Sequence, residues 1–356
     1  MKYLVNCRFL TQRVTGVQRY ALGCALNMQK IFGEEVGFVA PIGELNLQGI
    51  DLKNVKQFGH SQGHLWEQIE LPRYAKSHGA PVILSFCGLP PILYSRYIYC
   101  IHDMAVFRHP EFFSTIYGLY YRLMTRIAIK KAVQIICVSE FTKSELKGIL
   151  NVRGVRVVSN IVEKSFAAIE KDSSPCYRQL LDKNFLLAVG SLEPRKNLSR
   201  LIRAFVSQNF QDVHLLIIGD KSRVFADSGI EQVEHKNVIF TGYVDDNDLK
   251  NLYKSAVGFV YPSIYEGFGI PPLEAMIWGC PVAASAASSM PEVCGDAAIY
   301  FDPLDEESIG SAIGKLIFDV ENRKKLISRG RIRVSRYSSL NQQSELTAVI
   351  TSLQKL

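Results

Sequence analysis

Glu266 and Glu274, separated by seven residues, lie in the string Val260-Tyr-Pro-Ser-Ile-Tyr-Glu266-Gly-Phe-Gly-Ile-Pro-Pro-Leu-Glu274-Ala-Met-Ile-Trp-Gly279. A carboxylate accepts two vicinal hydroxyl protons and so grips a ribose or a hexose. Between the two acids, Gly267, Phe268 and Gly269 make a tight turn. Its backbone amides can point at an anion or at sugar hydroxyls, helped by the dipole of a helix starting near Pro271 or Pro272. Glu274 also has a plain structural reading, as a carboxylate that stabilises the first turns of its own helix.

A second string, Leu187-Ala-Val-Gly190-Ser-Leu-Glu-Pro-Arg195-Lys196-Asn197-Leu198, places two cations in a strand-to-helix loop. A diphosphate leaving group needs positive charge where its own charge develops, and Arg plus Lys supply it. Taken alone, such a surface pair is ordinarily just solvated. His102, in Ile101-His102-Asp103, falls at the carboxyl end of a strand, where ligands of α/β sheets collect. The bland alternative is a histidine satisfied inside the fold. Gly16, in Thr15-Gly16-Val-Gln-Arg19-Tyr20, opens a helix and lets backbone approach a phosphate or an acceptor, although one glycine there is commonplace.

Metal chemistry finds little support. The eight cysteines include no Cys-x2-Cys pair, and His60 and His64 stand four apart with no further ligand nearby. The acidic turn Asp245-Asp246-Asn247-Asp248 reads as a helix start, not as an Asp-x-Asp metal site. No metal and no cofactor are expected.

Short apolar runs alternating with helical segments must position these residues, the pattern of parallel sheets covered by helices. The runs at 3–7, 36–40, 81–86, 97–102, 134–139 and 155–158 read as strands, with helices at 16–31, 64–76, 112–131 and 141–150. Residues 164–183 are polar and mixed, the best linker in the chain. Strands then resume at 185–189, 213–218, 238–240, 256–261, 281–284 and 298–301, with helices near 197–207 and from 245, and the last stretch reads as helices at 304–318, 320–336 and 340–354. Two doubly wound α/β domains follow, at about 1–165 and 170–335.

Composition bounds the partners. With 356 residues, 47% hydrophobic and 21% charged, the chain has room for two packed domains and is not a disordered polymer. No apolar run approaches the roughly 18–20 residues of a membrane-spanning helix. The start Met1-Lys2-Tyr3-Leu4-Val5-Asn6-Cys7-Arg8 lacks the features of a secretory signal, so a cytoplasmic protein is expected. The net charge of +7 is uneven: residues 1–170 carry 20 Lys/Arg against 12 Asp/Glu, and residues 171–356 carry 21 against 22. A basic half points to an anionic partner such as nucleic acid, lipid headgroups or a phosphorylated substrate, or simply to solvated surface. Residues 112–131 contain no acid and set Arg122, Arg126 and Lys130 on one helix face. They fit either an interfacial helix drawn to anionic lipid or a core helix with a solvated basic stripe.

The two strings, continued through Gly279-Cys-Pro-Val282 and Ser289-Met-Pro-Glu-Val-Cys-Gly-Asp-Ala-Ala298, resemble the donor-site signature of the family 4 retaining glycosyltransferases. The resemblance implies an α/β GT-B fold, two Rossmann-like doubly wound domains facing across a cleft, with 1–165 on the acceptor side and the nucleotide sugar in the C-terminal domain, 170–335. It implies that the final helix, 340–356, packs back on the N-terminal domain. Glu266 would contact the donor hexose, Glu274 the ribose, Arg195 and Lys196 the diphosphate, and His102 the donor sugar. Gly16, Gly190, Tyr243, Val244, Gly267, Phe268 and Gly269 would line the donor site. Two departures stand out: Ser191 follows the glycine where many members have Arg, and 157–166 differs from the usual Pro-Asn-Gly-Val-Asp form.

The implied reaction takes a hexose or deoxyhexose (mannose first, rhamnose second) from a nucleotide-diphosphate sugar. The implied acceptor is a lipid-diphosphate-linked glycan of a growing surface polysaccharide, which extends to peripheral contact with the inner face of the cytoplasmic membrane. A nucleotide-sugar 2-epimerase and a non-catalytic nucleotide- or glycan-binding protein are the alternatives. Nucleic acid is not expected, because no recognition module accompanies the basic residues.

Overall fold

Strands that are apolar on both faces must be covered on both faces, and the helical segments between them supply the cover. The computed structural model describes residues 1–46, 52, 54–162, 183–219 and 235–353. The chain divides into two units, one of Met1–Phe107, Ile116–Ile161 and Ser338–Leu356, the other of Arg108–Thr115 and Val162–Tyr337. Nearly all of the segment read as a linker, 164–183, lies outside the described residues.

The first unit holds β1 (Tyr3–Asn6), β2 (Val36–Pro41), β3 (Val55–Phe58), β4 (Val82–Ser85), β5 (Tyr97–Ile101), β6 (Gln134–Cys137) and β7 (Arg156–Val157). All pairings are parallel, in the order β3-β2-β1-β4-β5-β6-β7. Its helices include α1 (Gly16–Phe32), α2 (Leu71–Ser77), α3 (Thr115–Lys131) and α4 (Glu140–Leu150). Leu4, Ile83, Tyr97, Trp66 and Leu71 are fully buried in its core. Helix α1 opens on a capping box between Thr15 and Gln18, and α4 on Ser139, whose hydroxyl accepts the Thr142 amide at 3.0 Å. The terminal helix Ser339–Leu353 packs on α1 within this unit. Its fully buried Gln342 accepts from Asn27 Nδ2 at 2.9 Å and donates to the Ser159 carbonyl at 2.7 Å.

The second unit holds β8 (Asn184–Val189), β9 (Val213–Ile218), β10 (Val238–Gly242), β11 (Gly258–Tyr261), β12 (Val282–Ser285) and β13 (Ala298–Phe301), parallel in the order β10-β9-β8-β11-β12-β13. Around them lie α5 (Leu198–Ser207), α6 (Asp246–Ser255), α7 (Ile270–Ile277), α8 (Met290–Cys294), α9 (Glu306–Phe318) and α10 (Val320–Ser335). Phe185, Leu186, Leu187 and Ala188 of β8 are fully buried, the signature of a central parallel strand. In each sheet the first strand sits in the middle and the order reverses beside it. Such switch points lie between β1 and β4 and between β8 and β11, and α/β sheets bind ligands beyond the carboxyl ends there.

Three sequence expectations change. Strand β3 has no counterpart among the apolar runs, because Val-Lys-Gln-Phe is a half-polar edge strand. The helix expected over 64–76 contains a π-helical stretch, Trp66–Glu70, ahead of α2. The helix expected at 112–131 starts at Thr115 and meets the core through one face only: it buries Gly118, Thr125 and Ala128, with Tyr121, Met124 and Ile129 half-buried against the core, while Ile116, Leu119 and Leu123 are 84%, 58% and 58% exposed.

Replacing Gln342 by Leu removes a short hydrogen bond from each of two groups, the Ser159 carbonyl and Asn27 Nδ2, which keeps only the Ser339 carbonyl at 3.4 Å. The expected loss is about 2 kcal/mol or more, read from denaturant unfolding with a probe in the first unit.

Candidate active site

Beyond the carboxyl end of β8, the chain makes a 3-10 turn at Pro194–Lys196 and enters α5 through Asn197, which adopts left-handed backbone with φ 58°. Asparagine tolerates that conformation better than most side chains. Its buried amide donates to the carbonyls of Pro262 at 3.1 Å and Pro303 at 2.6 Å, tying the turn to the loops after β11 and β13. The Ile264 amide donates to the Arg195 carbonyl at 2.8 Å, so the turn and the β11 loop are also joined through backbone. Gly219, after β9, has φ 155°, and a Cβ there would run into the Gly190 carbonyl.

Glu266 reaches the turn from the loop after β11. Its amide donates to Ser288 Oγ at 3.1 Å, and Ser289 Oγ donates to the carbonyls of Glu266 at 2.9 Å and Phe268 at 2.7 Å. Held this way, the carboxylate meets both cations: Lys196 Nζ lies 2.6 Å from Oε1 and Arg195 Nη1 lies 3.2 Å from Oε2. Tyr261, the last residue of β11, completes a triangle. Its hydroxyl accepts from Lys196 Nζ at 3.0 Å and donates to Glu266 Oε1 at 3.0 Å. Arg195 Nε is also paired with Glu193 Oε2 at 2.7 Å, and Glu193 accepts the Ser191 hydroxyl.

This cluster is charge-balanced and nearly dry, with the Glu266, Lys196, Arg195 and Glu193 side chains 9%, 12%, 19% and 8% exposed. Burial pushes the Glu266 carboxyl up, but Lys196 and Arg195 outweigh it and hold it down at about 2. Burial depresses Lys196, and Glu266 outweighs that, so its ammonium is held above the ordinary lysine value. Burial and the neighbouring Glu266 push the Tyr261 hydroxyl up to about 12. The result is a permanently ionised Lys–Glu pair, two of whose three ammonium protons are engaged, one by Glu266 and one by Tyr261. Fixed charges in a water-poor site act strongly on any charge that develops beside them.

The comparisons with known proteins bear on this arrangement. The family described as Glycosyl transferases group 1 matches residues 176–333. O-antigen chain mannosyltransferase B of Escherichia coli is 32% identical over 254 residues, covering 68% of this chain and 67% of that one. O-antigen chain mannosyltransferase RfbU of Salmonella typhimurium is 34% identical over 259 residues, covering 71% of this chain and 68% of that one. The chain belongs to the group 1, family 4 glycosyltransferases. Among solved structures, Anabaena Alr3699/HepE in complex with UDP-glucose is similar with a TM-score of 0.72 at 17% identity, covering 98% of this chain and 99% of that one, a likeness of fold. The fold is the two-unit α/β GT-B fold.

The remaining residues singled out in this glycosyltransferase are distributed as follows. Gly190 follows β8 directly, and a Cβ there would lie 3.5 Å from the Lys196 side chain. Tyr243, exposed, and Val244, buried, follow β10 at the same end of the sheet. Phe268 is buried and Gly269 has φ 90°, where a Cβ would run into the Met290 methyl group. Gly269 is the N-cap of α7, and Glu274 sits in the middle of that helix with the Tyr253 hydroxyl at 3.5 Å. Glu274 therefore does not cap its helix start. The acidic turn works as a helix start: Asp245 accepts from the amides of Asn247 and Asp248, both at 2.9 Å.

His102 and Gly16 belong to the first unit. His102 lies just past β5, donates from Nε2 to the Phe86 carbonyl at 2.7 Å, and packs edge-on against Tyr20 with ring centroids 5.0 Å apart. Burial holds its imidazole below the ordinary histidine range, and the Phe86 bond leaves Nδ1 as an acceptor in the neutral form. Gly16 is the exposed first residue of α1, the helix that carries Tyr20. Glu193 and Tyr261 escaped sequence reasoning: one is a single acid in a loop, and the other reads as the end of a buried strand. Their only signal is position, each at the carboxyl end of a central strand.

The Glu266 value gives a sign. Its contribution to stability is complete above the ordinary carboxyl value near 4.5 and is lost as pH falls through about 2. Glu266→Gln is expected to lower stability at neutral pH by about 3 kcal/mol. The deficit should shrink on acidification from pH 4.5 towards pH 2, as measured by urea unfolding across that range.

Proposed function

We propose that this glycosyltransferase moves a hexose or deoxyhexose, with retention, from a nucleotide-diphosphate sugar to a growing lipid-linked surface polysaccharide. Mannose is the first candidate and rhamnose the second. The observation that carries the reading is the Lys196–Glu266–Arg195 cluster at the switch point of the second sheet. A diphosphate is the anion that suits it, since an ammonium has three protons and Glu266 and Tyr261 engage two of those of Lys196. Glu266 keeps the ammonium charged and lies beside the donor hexose. The amides of Gly267–Gly269 and the carboxylate of Glu274 bind the rest of the donor, with Tyr243 and Val244 at its nucleoside end. His102 accepts a donor hydroxyl through Nδ1.

A front-face transfer fits these groups. Glu266 has both carboxylate oxygens engaged by cations and a pKa of about 2, which makes it a poor nucleophile. The bond from the anomeric carbon to the diphosphate breaks while the acceptor oxygen bonds on the same face, and the acceptor proton passes to the departing diphosphate oxygen. Lys196 and Arg195 stabilise the charge that appears there. This scheme requires no metal or cofactor.

The acceptor reading draws on the relatives, both named for O-antigen chains, and on α3. Ile116, Leu119, Tyr120 and Leu123 form an exposed apolar face, continued by the exposed Arg126, Lys130 and Lys131. An apolar patch beside cations suits the surface of an anionic bilayer. No helix among the described residues is long and apolar enough to cross a membrane.

Two tests follow. A thermal-shift panel of GDP, UDP and dTDP should single out one nucleoside diphosphate, and its sugar should turn over on a lipid-diphosphate oligosaccharide in the presence of EDTA. Lys196→Met should lower kcat about 100-fold or more. Stabilisation by none of the three nucleotides, or unchanged kcat in the folded variant, contradicts the reading. Separately, co-sedimentation with phosphatidylglycerol vesicles should weaken in Ile116→Glu/Leu123→Glu and at high salt.

A further inference from the structure

The loop Glu266–Gly269 is held by more than the ion pairs of its carboxylate. Its backbone hangs on Ser288 and Ser289, and Ser289 is the N-cap of α8. Met290, the first residue of that helix, is fully buried and leaves no room for a Cβ at Gly269. Whatever fixes α8 therefore fixes the backbone of the loop. A helix of five residues is too short to be stable by itself, so the restraint must come from outside it.

Arg333, near the end of α10, supplies that restraint. Its Nε donates to the Val293 carbonyl at 2.8 Å and its Nη2 donates to the Glu292 carbonyl. One guanidinium thus closes two carbonyls at the end of α8, where the helix dipole favours a cation. The fit is close: Gly295 has φ 58°, and a Cβ there would lie 3.1 Å from the guanidinium carbon. Helix α10 is itself anchored. A Cβ on its buried Gly330 would lie 3.0 Å from the Met276 side chain of α7, the helix that carries Glu274. Helix α10 therefore braces both helices between which the loop is strung.

Tyr337, two residues past α10, closes the assembly. Its hydroxyl accepts from Arg333 Nη2 at 3.2 Å. Its ring stands edge-on to Phe268, with centroids 5.2 Å apart and planes at 88°, and both rings are buried. The Tyr337 carbonyl accepts the Val162 amide at 2.9 Å, which fixes its backbone independently of the side chain. The chain of contacts runs from Arg333 through α8 and Ser289 to Phe268, with Tyr337 as the wall behind that ring. The cations assigned to the diphosphate sit on a different loop, after β8.

We infer that Arg333 and Tyr337 are positioning residues for the sugar of the donor. They set the loop Glu266–Gly269 against the hexose and leave the grip on the diphosphate to the turn after β8. This deepens the donor reading above and rests on it.

The test titrates the full chain calorimetrically with three pairs: GDP and GDP-mannose, dTDP and dTDP-rhamnose, UDP and UDP-glucose. For the pair that binds, the dissociation constant of the sugar nucleotide is divided by that of the free nucleotide. This ratio should rise about 10-fold or more in Tyr337→Leu and about threefold or more in Arg333→Lys, with the free nucleotide within about twofold of wild type. Tyr337→Phe keeps the ring on Phe268 and should hold the wild-type ratio. Arg333→Lys keeps the cation at the end of α8, so it should fold even where Tyr337→Leu does not. A merely structural role would lower the melting temperature or weaken both ligands together. An unchanged ratio in the folded variants, or equal loss of both ligands, overturns the positioning role alone. Binding of none of the three pairs by the wild-type chain contradicts the donor reading itself, and the positioning role falls with it.

Discussion

A carboxylate held between two cations in a water-poor loop cluster is the constraint on which the second unit's site depends. Glu266 cannot be buried unless Lys196 and Arg195 are beside it, and those cations cannot be buried without Glu266 and Glu193. The turn at Pro194–Lys196, the left-handed Asn197 and the serine pair Ser288–Ser289 all serve to bring these side chains to one place. Much of the loop architecture beyond β8 and β11 is thus explained by a single electrostatic requirement.

Each sheet repeats a common solution. The strand that begins the unit lies in the middle, the chain reverses its direction of travel across the sheet beside it, and polar groups gather past the strand ends. In the second unit those groups are a Lys–Glu–Arg cluster, with charge fixed at any ordinary pH. In the first they are Asn6, Arg8, Glu67 and His64, more weakly aligned and partly open to solvent.

The sheets were legible in the chain because buried parallel strands are uninterrupted apolar runs: Phe185–Val189 and Tyr97–Ile101 stand out by composition alone. The edge strand Val55–Phe58 did not, because its two central residues, Lys56 and Gln57, are polar and exposed and break the apolar run. Glu266, Arg195 and Lys196 were visible as residue types in suggestive loops, yet nothing in their spacing revealed that they pair with one another across about 70 positions. Glu193 and Tyr261 were invisible for the same reason, since their roles arise only when two loops meet. The cluster on Glu67 depends on a local change of helical pitch, which residue periodicity does not encode. Helix α3 shows the reverse problem: its aliphatic residues read equally well as core or as surface, and only folding reveals Ile116 and Leu123 as exposed.

The central claim is that the Lys196–Glu266–Arg195 cluster receives the diphosphate of the donor. A crystal structure with a nucleoside diphosphate, determined at neutral pH, addresses it most directly. The account predicts a terminal phosphate oxygen within hydrogen-bond distance of Lys196 Nζ, with the Lys196–Glu266 contact retained. A diphosphate bound elsewhere, with the cluster unchanged and untouched, would contradict it.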